Sequence, residues 1–404
     1  MKVFEQKTCD VLVAGGGVAG VAAALQAARC GKKVILVEKT VQLGGLATTG
    51  HVNMFEPMCN GRGTMIIKGM AQEFLEASCR YGYDICPVEW KNGQPGQGNT
   101  NRRLVVKFSA CIFALVLMEF MDKVGVEVMF DTVVTDVEAQ DGHIAKAYVF
   151  NKSGYTQIQA GVYIDTTGDA DLLNYAGIPT LTGGNYHTYA GWGFSLDSCQ
   201  AAVEARDVSK VCFDIVGGDA SRTGVRHPEG MPLWDGTSGK DVSEYLRTNQ
   251  LELLENIKGD DRKSREIAML PAMCQFRTTR HIVGDVTFTG EETYQHRADS
   301  VGVVCDCVRR DYLYEVPYGT LIRSDWDNVM TAGRCASGVG HGWEVLRVIP
   351  QAILTGQAAG MAAAMAVDAG CPVAQVDIAA LQKGLAETGV IIHFDDSLIP
   401  QEAQ

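Results

Sequence analysis

The apolar positions first gather in a short run at residues 10–14 (DVLVA), whose length and β-branched content predict a buried strand. Glycines follow at Gly15, Gly16, Gly17 and Gly20, then an alanine-rich helical stretch that runs to Cys30 and is ended by Gly31. Residues 34–37 (VILV) predict a second strand. Farther on, residues 109–123 read as a strongly apolar helix capped by Ser109. Residues 126–130 predict a strand, 132–137 another with alternating faces, and Asp141-Gly142 a hairpin turn leading into a strand at 144–150. A short strand is predicted at 161–165 and another at 316–322. Residues 242–258 predict an amphipathic helix with Tyr245, Leu246, Leu253, Leu254 and Ile257 on one broad apolar face. The region 51–108 has few strong periods, and its turn-rich segment 91–98 predicts an exposed loop or hairpin. The best apolar helix, 358–367, falls short of the ~20 residues a bilayer requires.

Strand, glycine turn, helix, second strand and an acid at its end are the parts of a dinucleotide-binding unit. Gly15, Gly17 and Gly20 stand at GxGxxG spacing. The first permits the tight turn, the second lets backbone approach a pyrophosphate, and the third lets the helix pack close to the strand. The helix start at Val18 and Ala19 then offers unpaired amides to the phosphates. Glu38 suits a ribose hydroxyl pair and repels a 2′-phosphate, which ranks FAD or NAD above NADP. The 45 glycines exceed the roughly 28 that average usage gives a chain of this length, in keeping with close backbone approaches.

Lys and Arg number 35 against 48 Asp and Glu, a net charge of −13 that argues against nucleic acid and anionic membrane surfaces as partners. With 46% hydrophobic and 21% charged residues over 404 positions, the chain is expected to fold as two or three domains. Thirteen scattered cysteines form no disulfide framework, and the Cys305/Cys307 spacing fits neither a zinc knuckle nor a thioredoxin-type site. The stretch 11–28 looks faintly like a signal peptide, but its glycines and its strand-like first half point away from one. A cytoplasmic location is expected.

Directly after Glu38-Lys39 comes LGGLATTG, residues 43–50. Here the chain resembles the FAD-dependent oxidoreductase family of the glutathione-reductase-like flavoproteins, with its EK...LGG.AT.G pattern. Three further blocks occur in the family's order: TTGD at 166–169, NVMTAGRCAS at 328–337, and RVIPQAILTGQAAGMAA from Arg347 to Ala363. The resemblance implies FAD as cofactor and an α/β fold: a Rossmann-like FAD-binding domain with a three-layer, mostly parallel sheet and an inserted α+β substrate domain. Boundaries follow at 1–176 for the first part, 177–314 for the substrate cap and 315–404 for the return segment. It also implies that Gly44, Gly45 and Thr48 lie along the pyrophosphate, ribityl chain and flavin, with Lys39 a further cofactor-binding residue. Val134 is placed beside the adenine, Thr167 and Gly168 on the phosphate side and Arg347 near the flavin pyrimidine, with Gly333, Arg334 and Val348 further cofactor-binding residues.

For chemistry, His341 and Glu344, just before the flavin-edge helix, are the leading acid–base pair, because an imidazole titrates near neutrality. His51 and Asn53 are expected on the substrate face, and Arg277 and Arg280 as a bidentate carboxylate clamp. Asp169 and Asp171 lack a third ligand, so no metal is expected. The function expected is hydride transfer between a small polar substrate, at a C–OH or C–C bond, and flavin N5, with electrons passed to an external acceptor. Amine or amino-acid oxidation and a flavin-bearing electron-transfer subunit are the alternatives. A homo-oligomer is left open.

Overall fold

The expected strand, glycine turn and helix are present as β1 (Val3–Ala14) and α1 (Val18–Arg29), followed by β2 (Val34–Val37). The structure is a computed structural model that describes residues 3–61, 64–83 and 106–401. The turn-rich segment 91–98 lies outside the described residues. β1 begins well before its apolar run, because its polar first half is held by pairing with a neighbouring strand.

Next come α2 (Met70–Arg80) and α3 (Ala110–Val124). Ser109 caps α3 by accepting from the Ile112 amide, and Gly125, at φ 73°, ends it in the left-handed region that favours glycine. Then follow β3 (Glu127–Met129), β4 (Val133–Gln140), β5 (His143–Asn151) and β6 (Gly154–Asp165). β4 and β5 turn through Asp141 and Gly142, both at positive φ, as the Asp-Gly pair predicts.

The sheet runs β3-β2-β1-β6, all parallel, with Val11 opposite both Val34 and Val162. β6 forks: its first half pairs antiparallel with β5, its end pairs parallel with a late strand. One face of the sheet carries a core built with α1 and α3; the other packs Leu12, Ile35 and Tyr163 against Val149, Leu172 and Leu173.

A cap follows, in which β7 (Thr188–Ser195) is flanked by β8 (Phe213–Asp219) and, after the helix α4 (Gly239–Ile257), by β9 (Arg265–Met269), all antiparallel. Its own small core holds Tyr189, Tyr245, Leu253 and Phe276. Leu254, which the spacing places on the apolar face of α4, is exposed.

The hairpin β10 (Ser300–Cys305) and β11 (Leu313–Pro317) is buried in the same core as α1, so packing against that core resumes by Ser300. The strand expected at 316–322 ends at Pro317 and gives way to a tight helical turn, Tyr318–Thr320. β12 (Val329–Thr331) then joins the parallel sheet beside β6. The short α5 (Gly340–Leu346) leads into α6 (Ile349–Ala369).

α6 is longer than the ten-residue helix expected: it has 21 residues and is apolar and long enough to cross a membrane. Most of its surface is buried inside the protein. It lies against α1 so closely that a Cβ on Gly356 or Gly360 would come within 2.2 Å of the Ala19 or Ala23 carbonyl oxygen.

Candidate active site

A cavity of about 580 Å³ opens where the carboxyl ends of β1, β2, β6 and β12 meet the starts of α1 and α6. This is the crevice in which open α/β sheets bind ligands. Its floor is backbone. Gly15, at φ +100°, turns the chain so tightly that a Cβ there would stand 2.5 Å from the Thr166 carbonyl oxygen. A Cβ on Gly20 would lie 1.8 Å from the Gly15 carbonyl oxygen. Gly17 differs from both: it lines the cavity and a Cβ on it would meet only open space. Gly44 runs beside Gly17, its amide bonded to the Gly16 carbonyl at 2.8 Å, so two glycine segments form one bare surface.

Val18 and Ala19 present the start of α1, whose first amides have no acceptor within the helix. Val348 and Ile349 present the start of α6 at another wall. Two helix N-termini therefore favour negative charge in one cavity. Glu38, nearly fully buried at the end of β2, accepts from the Gly16 and Thr40 amides, each at 2.7 Å. Both oxygens keep a lone pair for a diol.

Beyond β6, Asp165 holds the turn by accepting from the Thr167 amide and hydroxyl on one oxygen and the Leu173 amide on the other. Burial pushes its carboxyl up to about 6, against those hydrogen bonds. Asp169 takes Arg334 at 2.8 Å and Lys39 at 3.3 Å. Burial disfavours the Asp169 charge, but these two cations outweigh it and hold its carboxyl below the usual range. Arg334 also donates to the Gly168 and Phe276 carbonyls, tying the turn to the cap.

The structure brings most of the expected residues together. Gly15, Gly17, Val18, Ala19, Glu38, Lys39, Gly44, Gly45, Val134, Thr167, Gly168, Gly333, Arg334, Arg347 and Val348 line the cavity, and so do His51, Asn53 and Arg277. Gly20 and Thr48 stand behind the lining, Thr48 donating to the Leu43 carbonyl at 2.6 Å.

Three other placements depart from expectation. Arg280 is turned away, donating to the Asp169 carbonyl at 2.8 Å and to Asp171 at 2.9 Å, so it is not available for a clamp with Arg277. His341 does not line the cavity; its Nε2 faces the fully buried Asp306. Glu344 is outside the lining as well and grips Arg347 with both oxygens. Both sit on α5, which the sequence suggested was a glycine-rich loop open to substrate.

The far half of the cavity is walled by the cap. Thr188, Ala190 and Trp192 come from β7, and Met273, Gln275, Phe276 and Arg277 from the segment after β9. Gln275 stitches the two units by donating to the Gly50 and Ala190 carbonyls, at 2.7 and 3.0 Å. Opposite lie His51 and Asn53. Asn53 is anchored by its donation to the Phe108 carbonyl at 2.6 Å. His51 is buried, adopts φ +57°, leans on the Trp192 ring at 4.7 Å and leaves Nδ1 without a hydrogen-bond partner. Burial lowers its pKa, so the ring is neutral near pH 7. Sequence reasoning missed Trp192, Arg222 and Gln275, which also line this half; no spacing distinguishes them.

Away from the cavity, His296, Glu315 and His393 bring three ligating atoms within 4.8 Å. Glu315 already accepts from both imidazoles and from the Arg297 and Phe394 amides, so its carboxylate is satisfied by protein donors alone.

The FAD dependent oxidoreductase family model matches residues 10–191 and 236–385. No curated protein matches the chain in sequence. Similar solved structures include a geranylgeranyl bacteriochlorophyll reductase-like protein from Thermoplasma acidophilum, at 14% identity and TM-score 0.44, covering 97% of this chain and 95% of that one. Another is p-nitrophenol 4-monooxygenase from Pseudomonas putida, at 12% identity and TM-score 0.48, covering 98% and 91%. A third is a flavoprotein/dehydrogenase from Cytophaga hutchinsonii, at 15% identity and TM-score 0.44, covering 94% and 84%. The family match spans most of the chain, and the bare glycine floor, the two helix starts and the Glu38 carboxylate fit its cofactor: the chain belongs to the FAD-dependent oxidoreductases.

Proposed function

We propose that the chain moves a hydride between FAD and a small polar substrate, at a C–OH or C–C bond, and passes the electrons to a separate acceptor. The observation that carries this reading is the cavity's second half: beyond the glycine floor it continues into a chamber between His51 and Asn53 on one side and the cap strand β7 on the other. An electron-transfer subunit has no use for such a chamber, which favours an enzyme with a substrate of its own. Bound FAD supplies the two-electron chemistry.

The residues that would hold it are the glycine floor with the α1 amides for the pyrophosphate, Glu38 for the ribose, and the start of α6 for negative charge on the ring. The chain's own part at the substrate is orientation and proton handling. Asn53 is fixed by its backbone partner and shapes one wall. His51 is the titratable group of the lining whose ring stays neutral at pH 7, and it takes the role expected of His341. The cap walls this half of the cavity, and polar contacts made against it are stronger than in open water.

The test is anaerobic bleaching of the yellow holoenzyme against hydroxy acids, enoates, sugars and amines. Reduction by one hydroxy or olefinic class supports the reading. Reduction by amines alone, or only by a redox protein, replaces it with one of the alternatives.

A further inference from the structure

Three guanidinium groups, Arg222, Arg277 and Arg347, line the cavity near the start of α6 and the cap. One carboxylate serves two of them. Glu344 holds Arg347 with both oxygens and stands 3.9 Å from Arg222. Arg277 pairs with no acid among the described residues; its Nη1 donates to the Thr188 hydroxyl at 3.3 Å. The acids that share the lining, Glu38, Glu56, Asp171 and Asp214, form no ion pair with these arginines among the described residues. Arg222 fills its remaining geometry with a neutral partner, the Cys307 sulfur at 3.4 Å. The group carries about two positive charges more than negative, in a half-buried place where an unpaired charge is costly.

We propose that the chamber recognises the carboxylate of its substrate, a small organic acid, with Arg277 as the principal donor and Arg222 beside it. The proposal rests on the hydride-transfer reading for the word substrate, and on the arginines alone for the carboxylate. A guanidinium presents two parallel N–H donors that match the two oxygens of a carboxylate, and a charge-assisted pair of this kind is both strong and directional. Glu344 has a supporting part: by holding Arg347 and balancing part of Arg222, it keeps three like charges together without neutralising Arg277. Burial lowers the Arg277 pKa, and Arg347 and Arg222 lower it further while Glu344 opposes them, the signature of a cation waiting for an anion. The clamp is therefore Arg277 with Arg222, from the 220–231 loop, in place of the expected Arg277 with Arg280.

The experiment titrates FAD-loaded protein with malonate, pyruvate and lactate, with lactamide and malonamide as neutral counterparts, and with inorganic phosphate and sulfate at matched ionic strength. Binding is read from the shift in the flavin absorbance, and FAD affinity is measured separately on each variant. Carboxylates are expected to bind and their amides not to. Arg277→Gln should weaken carboxylate binding about 10- to 100-fold, the loss of a charge-assisted pair. Arg277→Lys should fall between, keeping the charge without the fork, and Arg222→Gln should cost several-fold, with FAD affinity unchanged throughout. Equal binding of amides and acids overturns the proposal, and so does phosphate or sulfate binding as tightly as the carboxylates. Loss of FAD affinity in Arg277→Gln with carboxylate binding intact would assign the arginines to the cofactor and also overturn it. Carboxylates that bind through Arg277 while no small molecule ever bleaches the flavin leave the clamp standing and remove the hydride-transfer reading.

Discussion

Gly17 and Gly20 are three residues apart and do different work. A methyl on Gly20 has nowhere to go, because the Gly15 carbonyl oxygen lies 1.8 Å from where it would stand. A methyl on Gly17 points into open space at the cavity floor. Gly17→Ala is expected to fold with a melting temperature close to the parent's and to lose FAD affinity at least tenfold, whereas Gly20→Ala is expected to lower the melting temperature itself. Thermal melts of the apoproteins with a FAD titration separate the two, and equal melting losses would remove the distinction.

Asp165 makes a second residue-scale case. Its folded pKa of about 6 lies above the ordinary carboxylate value of 3.8, so between those values the folded state binds more protons than the unfolded one. Stability from this group is complete below pH 4 and is lost as pH rises through 6. Asp165→Asn gives up one acceptor and is expected to be less stable overall, yet its deficit against the parent should shrink from pH 4 to 6 in denaturant titrations. A constant deficit would refute the shift. At this scale the sequence was most legible where a residue's duty is to its own backbone, as in the three glycines and Ser109. It was least legible for Arg280 and Arg222, whose partners are set by folding and leave no local trace.

Among the elements, the crossing of α1 and α6 sets the geometry of the floor. Two glycines on α6 meet the carbonyl oxygens of Ala19 and Ala23, so the helices touch backbone to backbone. Overpacking such a contact costs about 1–3 kcal/mol, and here both atoms met are backbone and cannot yield as a side chain would. Gly360→Val is therefore expected to lower stability by that amount or more and to weaken FAD binding, since α1 carries the phosphate amides. A Gly384→Ala control, whose Cβ would meet the flexible Met361 sulfur, should cost less in the same denaturant titrations. A Gly360→Val protein as stable as the parent would show that the two helices can separate without loss. The apolar run 358–367 marks only the second half of α6, which starts at Ile349 and takes in Pro350 and Gln351. Proline early in a helix sacrifices no bond, and Gln351 donates to the Cys305 carbonyl inside the core, so the helix runs on through both.

For the molecule as a whole, the parallel sheet and its cofactor crevice follow from motifs spread over the chain and are legible in the sequence alone. Of the cap, the interruption and the helix α4 were legible, and its strands were not. Its strands have mixed faces, its core is four large side chains, and its walls face the chamber through residues such as Trp192 and Gln275 that carry no pattern. The same holds for the start of α5, where Gly338, Gly340 and Gly342 suggested a loop. The helix forms because Trp343, Val345 and Leu346 are buried beneath it, and its placement points His341 toward Asp306 and away from the substrate.

The cavity walls come from Gly15 to His51, from Val134, from Thr166 to Gly168, from the cap and from Gly333 to Ala352. Segments remote in sequence thus share one guest, and they are also tied directly by the Gln275 amide, by Arg334 to the Phe276 carbonyl and by the Ala272 amide to the Thr49 carbonyl. By linkage, a ligand that touches all of them is itself a part of the fold's cooperativity: each factor of ten of free FAD above its dissociation constant adds about 1.4 kcal/mol to the folded state. Sheet and cap are then coupled through the cofactor as well as through each other. Supply of FAD therefore governs how much intact protein persists, as well as how much of it can turn over.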